Sequence, residues 1–408
     1  MQHQRLQQIL PGPDLIPGIA CMLHMFQAYL VAPLIPSLAK EFNSSSLDLA
    51  VPAFAIPFAL AAAAMVFFKP EVELRKSLLI SLGALCLGSY LLSMARSAPI
   101  FLLIRVLTGL GTGAMLPSAL LLAIQPDGKR RSLKAMVPII FAVAAGMTFG
   151  PSLGGWLNGV IGWRGLYRCI RTLAILLFLV YLLKERQEQL VRIVPFRRKA
   201  TALLRSDWKR RYSYSFVYLT GVFHSGVFVW ISSYFTTKYG LDEFHIATDL
   251  FIFGLPGFVV ALFLYRYQLD KKVVTMLYLA LGLTIAGLLI LMGNLPLWLA
   301  ECLLGIISIG FGCSQPLFTG LLKLPGKTVS LMRPVAMGSG ILFAGYGSGP
   351  LMMMALLNFD LAAAMVFLIG LVLAMAYISR RIWKVTSGKA ARGLGNNNAL
   401  LAASGKRG

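Results

Sequence analysis

Residues 146–157 read GMTFGPSLGGWL, which sets glycine at 146, 150 and 154 inside an apolar run, with Gly155 following directly. On a helix, positions 146, 150 and 154 share one face. A face without side chains has to lie against another helix. Pro151 removes one helical hydrogen bond and bends the segment beside that smooth face. Such a bend is tolerated in a membrane helix, because neighbouring helices re-satisfy the carbonyl it frees.

The rest of the chain has the composition this requires. Of 408 residues, 58% are hydrophobic and 13% charged, with a mean hydropathy of +0.75, which excludes an ordinary soluble protein. About 20 apolar residues cross a bilayer. Twelve such runs are present, at 15–38, 47–68, 77–95, 98–122, 135–158, 163–183, 213–237, 246–266, 273–293, 297–322, 333–357 and 361–383. The expected fold class is all-α integral membrane, with 12 transmembrane helices.

A net charge of +23 would point to nucleic acid in a soluble domain, but its distribution here points to a lipid surface. The loops after spans two, four, six, eight and ten and the C-terminal tail hold 3, 4, 10, 2, 2 and 5 Lys or Arg, with Arg266, Arg333, Arg380 and Arg381 at the adjoining span ends. The opposite loops hold Lys40, Arg96 and Lys238, and an arginine group opens span six. By the positive-inside rule, both termini are expected in the cytoplasm, in a plasma membrane of the bacterial inner-membrane type. No nucleic-acid partner is expected. Cysteines 21, 86, 169, 302 and 313 lie in or beside apolar spans and form no CxxC pair, so neither a disulfide framework nor a metal site is expected. Residues 1–14 lack a basic n-region and read as a cytoplasmic N-terminus leading into an uncleaved helix. Residues 384–408, rich in Gly, Asn and Lys, read as a disordered cytoplasmic tail.

The chain is also written twice. An offset of 199 residues aligns Pro57 with Pro256, Gly83 with Gly282, Gly88 with Gly287, Gly111 with Gly310, Gly113 with Gly312 and Pro117 with Pro316. Without a gap it continues to Gly146, Gly150 and Pro151, which fall on Gly345, Gly349 and Pro350, and it sets Glu71 on Asp270. Two six-helix bundles are therefore expected, 15–183 and 213–383, joined by a basic cytoplasmic linker at 184–212. An even-numbered repeat keeps its orientation, so the bundles should be related by an axis along the membrane normal, with a site between them.

The string at 146–157 resembles the fifth-helix antiporter motif, G-x-x-x-G-P-x-x-G-G-x-L, of the major facilitator superfamily, and the likeness covers about residues 15–383. AYLVAPLIPSLAKEF resembles that family's first-helix exit, ending in Pro36; drug:proton antiporters often carry an aspartate nine residues before that proline, where this chain has Gln27. RVLTGLGTGAMLP matches R-x-x-x-G-x-G-x-G through Arg105, Gly109, Gly111 and Gly113, and the resemblance implies a place for Arg105 in a proton-relay or substrate network. In the loop after span two, FFKPEVELRK keeps Glu71, Arg75 and Lys76 of the family's charge latch but replaces both glycines with Phe67 and Leu74. Gly162-Trp163-Arg164 follows span five as the family's GWR does. The resemblance further implies that the glycine face of span five packs on the other half, for which span eight, with Gly254, Pro256 and Gly257, is the natural partner.

Ionisable residues inside spans are costly and so are candidates for function. They are His24, Arg105, Arg168, Arg171, His224 and Glu301. His24 and His224 lie about 15 Å into their spans at nearly equivalent places. Either is a potential proton carrier or a neutral imidazole bonded to a backbone carbonyl. Arg164, Arg168 and Arg171 share a helical face, and either snorkel to outer headgroups or face the cavity and bind an anion. Glu301 reads as the carboxylate well inside an apolar run. Aromatic and methionine clusters such as Phe223, Phe228, Trp230 and Tyr234 either line a pocket or pack.

Together these readings predict a monomeric secondary transporter among membrane lipids, moving a neutral, zwitterionic or anionic amphiphile by alternating access. Proton-coupled efflux is the expected mode; import, uncoupled facilitation and transporter-like sensing are the rivals. No GxxxxGK[ST], HExxH or GxSxG string is present, so no cofactor and no enzyme activity are expected.

Overall fold

The computed structural model describes residues 15–68, 71–124, 136–183, 190–192, 208–267, 273–322 and 332–404. Among the described residues, eleven helical stretches are long and apolar enough to cross a membrane. Span one is α1 (Leu15–Tyr29) and α2 (Ile35–Phe42), joined by a 3-10 turn at Ala32–Leu34. Pro33 and Pro36 sit in this junction, where neither ring costs a helical hydrogen bond. A second 3-10 turn, Ser45–Ala50, leads to span two, α3 (Pro52–Phe68). Span three is α4 (Leu74–Ser93), and span four is divided into α5 (Ala98–Thr112) and α6 (Met115–Ile124).

Helix α7 (Val137–Leu183) has 47 residues, about 70 Å, more than twice a hydrocarbon core. It is two crossings joined at Gly162, where φ +68° and ψ +162° give a backbone that essentially only glycine adopts. Before the break, Ala142, Gly146, Gly150 and Gly154 meet Gly18, Met22, Phe26 and Leu30 in order, so this half of α7 runs parallel to α1. After it, Arg164 reaches Ala95, Arg171 reaches Tyr90, Phe178 reaches Gly83 and Tyr181 reaches Arg75, so the second half runs antiparallel to α4. Counted so, the described residues hold twelve crossings, as the hydropathy predicts.

The remaining spans are α8 (Trp208–Tyr239), α9 (Glu243–Tyr267), α10 (Val273–Leu291), α11 (Leu297–Leu322), α12 (Met332–Leu357) and α13 (Leu361–Ser404). Helix α13 continues to Ser404, which corrects the expectation of a disordered tail from 384; Ala and Leu in AARGL and NALLAAS favour helix over the Gly and Asn between them. Strands β1 (Glu71–Glu73) and β2 (Leu190–Arg192) pair antiparallel, with Glu71 opposite Arg192. The loop after span two is thus tied to the linker.

The 199-residue repeat reappears in the packing. Gly88 meets Thr108 as Gly287 meets Ile307, and Gly113 meets Phe58 as Gly312 meets Gly257. Between the halves, α7 crosses α9 where Thr148 touches Gly254, and α12 crosses α3 where Gly347 touches Ile56. These two seams are images of one another to within one residue of that offset, and the candidate site lies along the first.

Candidate functional site

The glycine ridge of span five closes on span one. A Cβ at Gly146 would stand 2.7 Å from Met25 Cβ, at Gly150 3.0 Å from the Phe26 carbonyl oxygen, and at Gly154 2.9 Å from the Leu30 carbonyl oxygen. The partner expected for this ridge, span eight, meets a different face of α7. There a Cβ on Gly155 would lie 2.5 Å from Ala247 Cβ and one on Gly254 2.6 Å from Thr148 Cγ2. Trp156 Nε1 donates to Thr248 Oγ1 at 3.1 Å. The reason for the correction is geometric: a 146/150/154 strip is one-sided, and α1 occupies that side. Gly345 and Gly349 repeat the arrangement, on Gly221, Val222 and Ser225 of α8, with Pro350 following as Pro151 does. Gly257 packs on Ser308, whose Oγ accepts its N–H at 2.9 Å.

Between the halves lies a cavity of about 180 Å³, walled by α7, α8, α9, α11 and α12. Its polar lining is Thr148, Thr220, His224, Ser308 and Tyr346; Phe141, Met147, Phe253, Phe258 and Phe311 supply much of the rest. No Asp, Glu, Lys or Arg stands among its lining residues. The cavity runs from His224 towards Ile140 and Phe141 near the start of α7, the face on which α1 also begins.

Towards the opposite face, rings close it. Tyr29 of α1 stands edge-on to Phe228 (5.8 Å between centroids) and Tyr346 (5.6 Å), and Phe228 stands edge-on to Phe253 (5.9 Å). Farther out, Ser37 Oγ donates to Glu243 Oε2 at 2.6 Å and Asn158 Nδ2 donates to Ser37 Oγ at 3.2 Å. These contacts join α2, α7 and α9 across the halves. In the first half, Trp163 Nε1 donates to Glu41 Oε2 at 2.6 Å, and Arg164 pairs with Glu41 and donates to the Ala95 carbonyl. The GWR string is thus a clasp on the ends of spans one and three.

The two histidines have different settings. His224 is on the cavity wall, 6.0 Å from the Tyr29 ring and 4.8 Å from Phe228. His24 is fully buried among Phe54, Phe58 and Phe343 at the other seam, with centroids 5.3, 5.1 and 6.3 Å away. Neither ring nitrogen of His24, nor the amide of Gln27 one turn on, has a hydrogen-bond partner among the described residues. The backbone-carbonyl partner considered for His24 is therefore not the arrangement found.

Arg105 is fully buried and away from the cavity. Its guanidinium donates to the carbonyls of Ala50 (3.0 Å), Gln27 (3.2 Å) and Ala28 (3.0 Å), and lies 4.6 Å from the Phe54 ring centroid. Gln27 and Ala28 are in the last turn of α1, whose carbonyls have no helical partner and attract a cation. Arg168 is exposed, and Arg171 is half-buried against Tyr90 of α4. Neither arginine stands among the lining residues of the cavity, so its wall gives the anion-binding alternative no support. Arg75 donates to the carbonyls of Tyr181 and Leu182 at the end of α7, and Lys76 pairs with Glu73 at 2.6 Å. Asp270 lies outside the described residues.

Glu301 is not the most enclosed acid. Asp249, 1% exposed, has that position, and its Oδ2 has no hydrogen-bond partner among the described residues. The sequence signal was the lone acid in HIATDLFIFG. Starting span eight at 246 makes Asp249 a terminal residue, whereas α9 starts at Glu243 and sets it about 9 Å inside. Tyr29, Phe253 and Tyr346 were also missed, since single aromatics in apolar helices carry no pattern.

Comparison with known proteins adds the following. The family described as Major Facilitator Superfamily matches residues 18–330. An uncharacterized MFS-type transporter of Bacillus subtilis (strain 168), YwfA, is 29% identical over 137 residues, 33% of each chain. A multidrug resistance protein B homolog of Mycobacterium tuberculosis (strain CDC 1551 / Oshkosh) is 31% identical over 93 residues, 23% of this chain and 17% of that one. The chain thus matches a third or less of the length of either relative. The crystal structure of the human organic anion transporter MFSD10 (TETRAN) superposes with a TM-score of 0.65 at 16% identity, covering 90% of this chain and 100% of that one.

Proposed function

The chain belongs to the major facilitator superfamily, and we propose that it is a secondary transporter that exports a small, largely aromatic and uncharged amphiphile by alternating access. The observation that carries this is the cavity between the halves, bounded by rings and hydroxyls, with no charged side chain among its lining residues. A charged ligand would lose hydration there without a counter-charge. A neutral one gains from Phe, Met and Tyr contacts and from hydroxyls that fix its orientation. The uncharged wall narrows the range expected from sequence, which had included anions on the strength of the span-six arginines.

Closure by Tyr29, Phe228 and Phe253 on one side of the cavity supports a single-sided access state. With the basic loops on the cytoplasm, that state faces inwards and both termini are cytoplasmic. Export is supported by the antiporter spelling of span five and by the multidrug-resistance name of one relative. Proton exchange is the drive we propose. Gln27 in place of an acid favours a second reading, an uncoupled facilitator on the same fold.

Counterflow of radiolabelled neutral aromatic compounds in proteoliposomes, with and without a pH gradient, tests both. Accumulation that follows the gradient supports the first reading. Equal exchange with no gradient and no proton movement supports the facilitator, and no exchange of any uncharged compound removes the cavity assignment.

A further inference from the structure

Asp249 is a polar group that nothing described so far uses. It is 1% exposed, inside a span, with Oδ2 unpartnered among the described residues. An ionised carboxylate in that setting is unstable unless a cation answers it. Helix α9 packs on α7, α8, α11 and the 3-10 turn at Ala32–Leu34, and its first residue, Glu243, accepts from Ser37 of α2, where Lys40 is exposed and Glu41 is held by Trp163 and Arg164. Of these, the α7 segment 137–161 and the 3-10 turn contain no charged residue. On α8, Lys238 is held by Tyr234 Oη and the Gly293 carbonyl, towards α10, and His224 lies across the Phe253 ring. On α11, Glu301 is within electrostatic reach of Asp249, as is His245 one turn out on α9 itself. Parallel packing, with Gly257 on Ser308, brings Glu301 level with Asp249. A buried acid thus faces a second acid, with an imidazole towards the outer water.

That imidazole has a defined setting. His245 and Asp242 are exposed, their Nδ1 and Oδ1 are 2.7 Å apart, and Asp242 Oδ1 also accepts the His245 N–H at 2.9 Å. Asp242 thus holds the ring by Nδ1, and Nε2 is the nitrogen which that pair does not engage. Residues 242, 245 and 249 are spaced by three and four, so they form one line along α9. Phe253, one further turn in on the same line, stands beside His224 and lines the cavity, of which Asp249 is not a lining residue.

We propose that Asp249 is a proton-binding site, loaded from the face opposite the chain start through the His245–Asp242 pair and shielded from the cavity by Phe253. Loading is a simple protonation: a proton from water passes over His245 to an Asp249 oxygen, the carboxylate becomes a carboxylic acid, and no other bond changes. Moving Phe253 would turn the same site towards His224. The inference rests on the proton-coupled reading and supplies that reading with the acid that Gln27 lacks.

Infrared difference spectra of the full-length protein in detergent, recorded as bulk pH is stepped, test the site without a substrate. The wild type is expected to show a carbonyl stretch of a protonated carboxyl group that bleaches as pH rises. Asp249→Asn is expected to lose that band, while Glu301→Gln keeps it with a shifted midpoint. His245→Ala is expected to keep the band and slow its response several-fold after a pH jump. Thermal unfolding checks that each variant is folded. Should Asp249→Asn not fold, Asp249→Glu is the second variant, expected to move the band in frequency. A band that survives Asp249→Asn, is unmoved by Asp249→Glu, or never appears in the wild type overturns the proposal. A band that vanishes in Asp249→Asn, in a protein whose transport ignores pH gradients, upholds the site and removes only the coupling.

Discussion

Arg105 shows how a residue singled out by its cost can have a different use from the one its chemistry first suggests. Its three donors meet the carbonyls of Gln27, Ala28 and Ala50, so it holds the broken end of span one. Arg105→Ala leaves those carbonyls buried without a donor and is expected to destabilise the protein by about 3 kcal/mol, read as lower thermal unfolding in detergent. Arg168→Ala combined with Arg171→Ala, on the outside of span six, should change neither stability beyond about 0.5 kcal/mol nor transport. Equal losses in the two variants would mean that Arg105 is no clamp. The sequence disclosed that these residues were inside the hydrocarbon, because charge is rare there. It did not disclose direction, since a helical wheel gives a face but not the neighbour beyond it. For the same reason His24 and His224, nearly equivalent along the chain, differ in setting: one is enclosed by Phe54, Phe58 and Phe343, the other lines the cavity.

Among the elements, span five was legible as a helix with one bare face, and the turn after it much less so. Both depend on glycine for separate physical reasons, which two substitutions distinguish. At Gly162 a Cβ would meet nothing within 4 Å, so Gly162→Ala should cost only backbone strain, about 1–3 kcal/mol. At Gly150 the obstacle is the Phe26 backbone, so Gly150→Leu forces α1 and α7 apart at a cost of about 3 kcal/mol. Truncating the neighbour with Phe26→Ala should not restore stability, because the clash is with main chain. Recovery of thermal stability in that double variant would refute the packing. The ridge pointed to some helix, and only the three-dimensional order of α1, α7 and α9 decided which. The basic linker shows the same limit: its charge was plain, its pairing of Val191 with Val72 was not.

On the scale of the whole molecule, the repeat was the most readable property, since glycine and proline matches at one offset need no knowledge of neighbours. Its consequence, two seams related by that offset to within one residue, follows in the structure at Thr148–Gly254 and Ile56–Gly347. The contact at the end opposite the chain start, by contrast, joins Ser37 to Glu243, 206 residues apart, and no local pattern encodes such a pair. Its role in movement is testable. With the five native cysteines replaced, Ser37→Cys with Glu243→Cys should crosslink under oxidation, arrest counterflow, and release it on reduction. Undiminished counterflow in the crosslinked protein would show that this end need not open.

The two seams also differ in what fills them. Phe58 and Phe343 meet with centroids 3.8 Å apart at one, while at the other the void reaches the crossing of α7 and α9, beside Phe141 and Phe258. That part of the wall is apolar ring, and no charged side chain stands among the lining residues. A compound with high oil solubility gains most on leaving water for such a wall. Turnover at a fixed dose in water should therefore rank compounds by how strongly they dissolve in the bilayer.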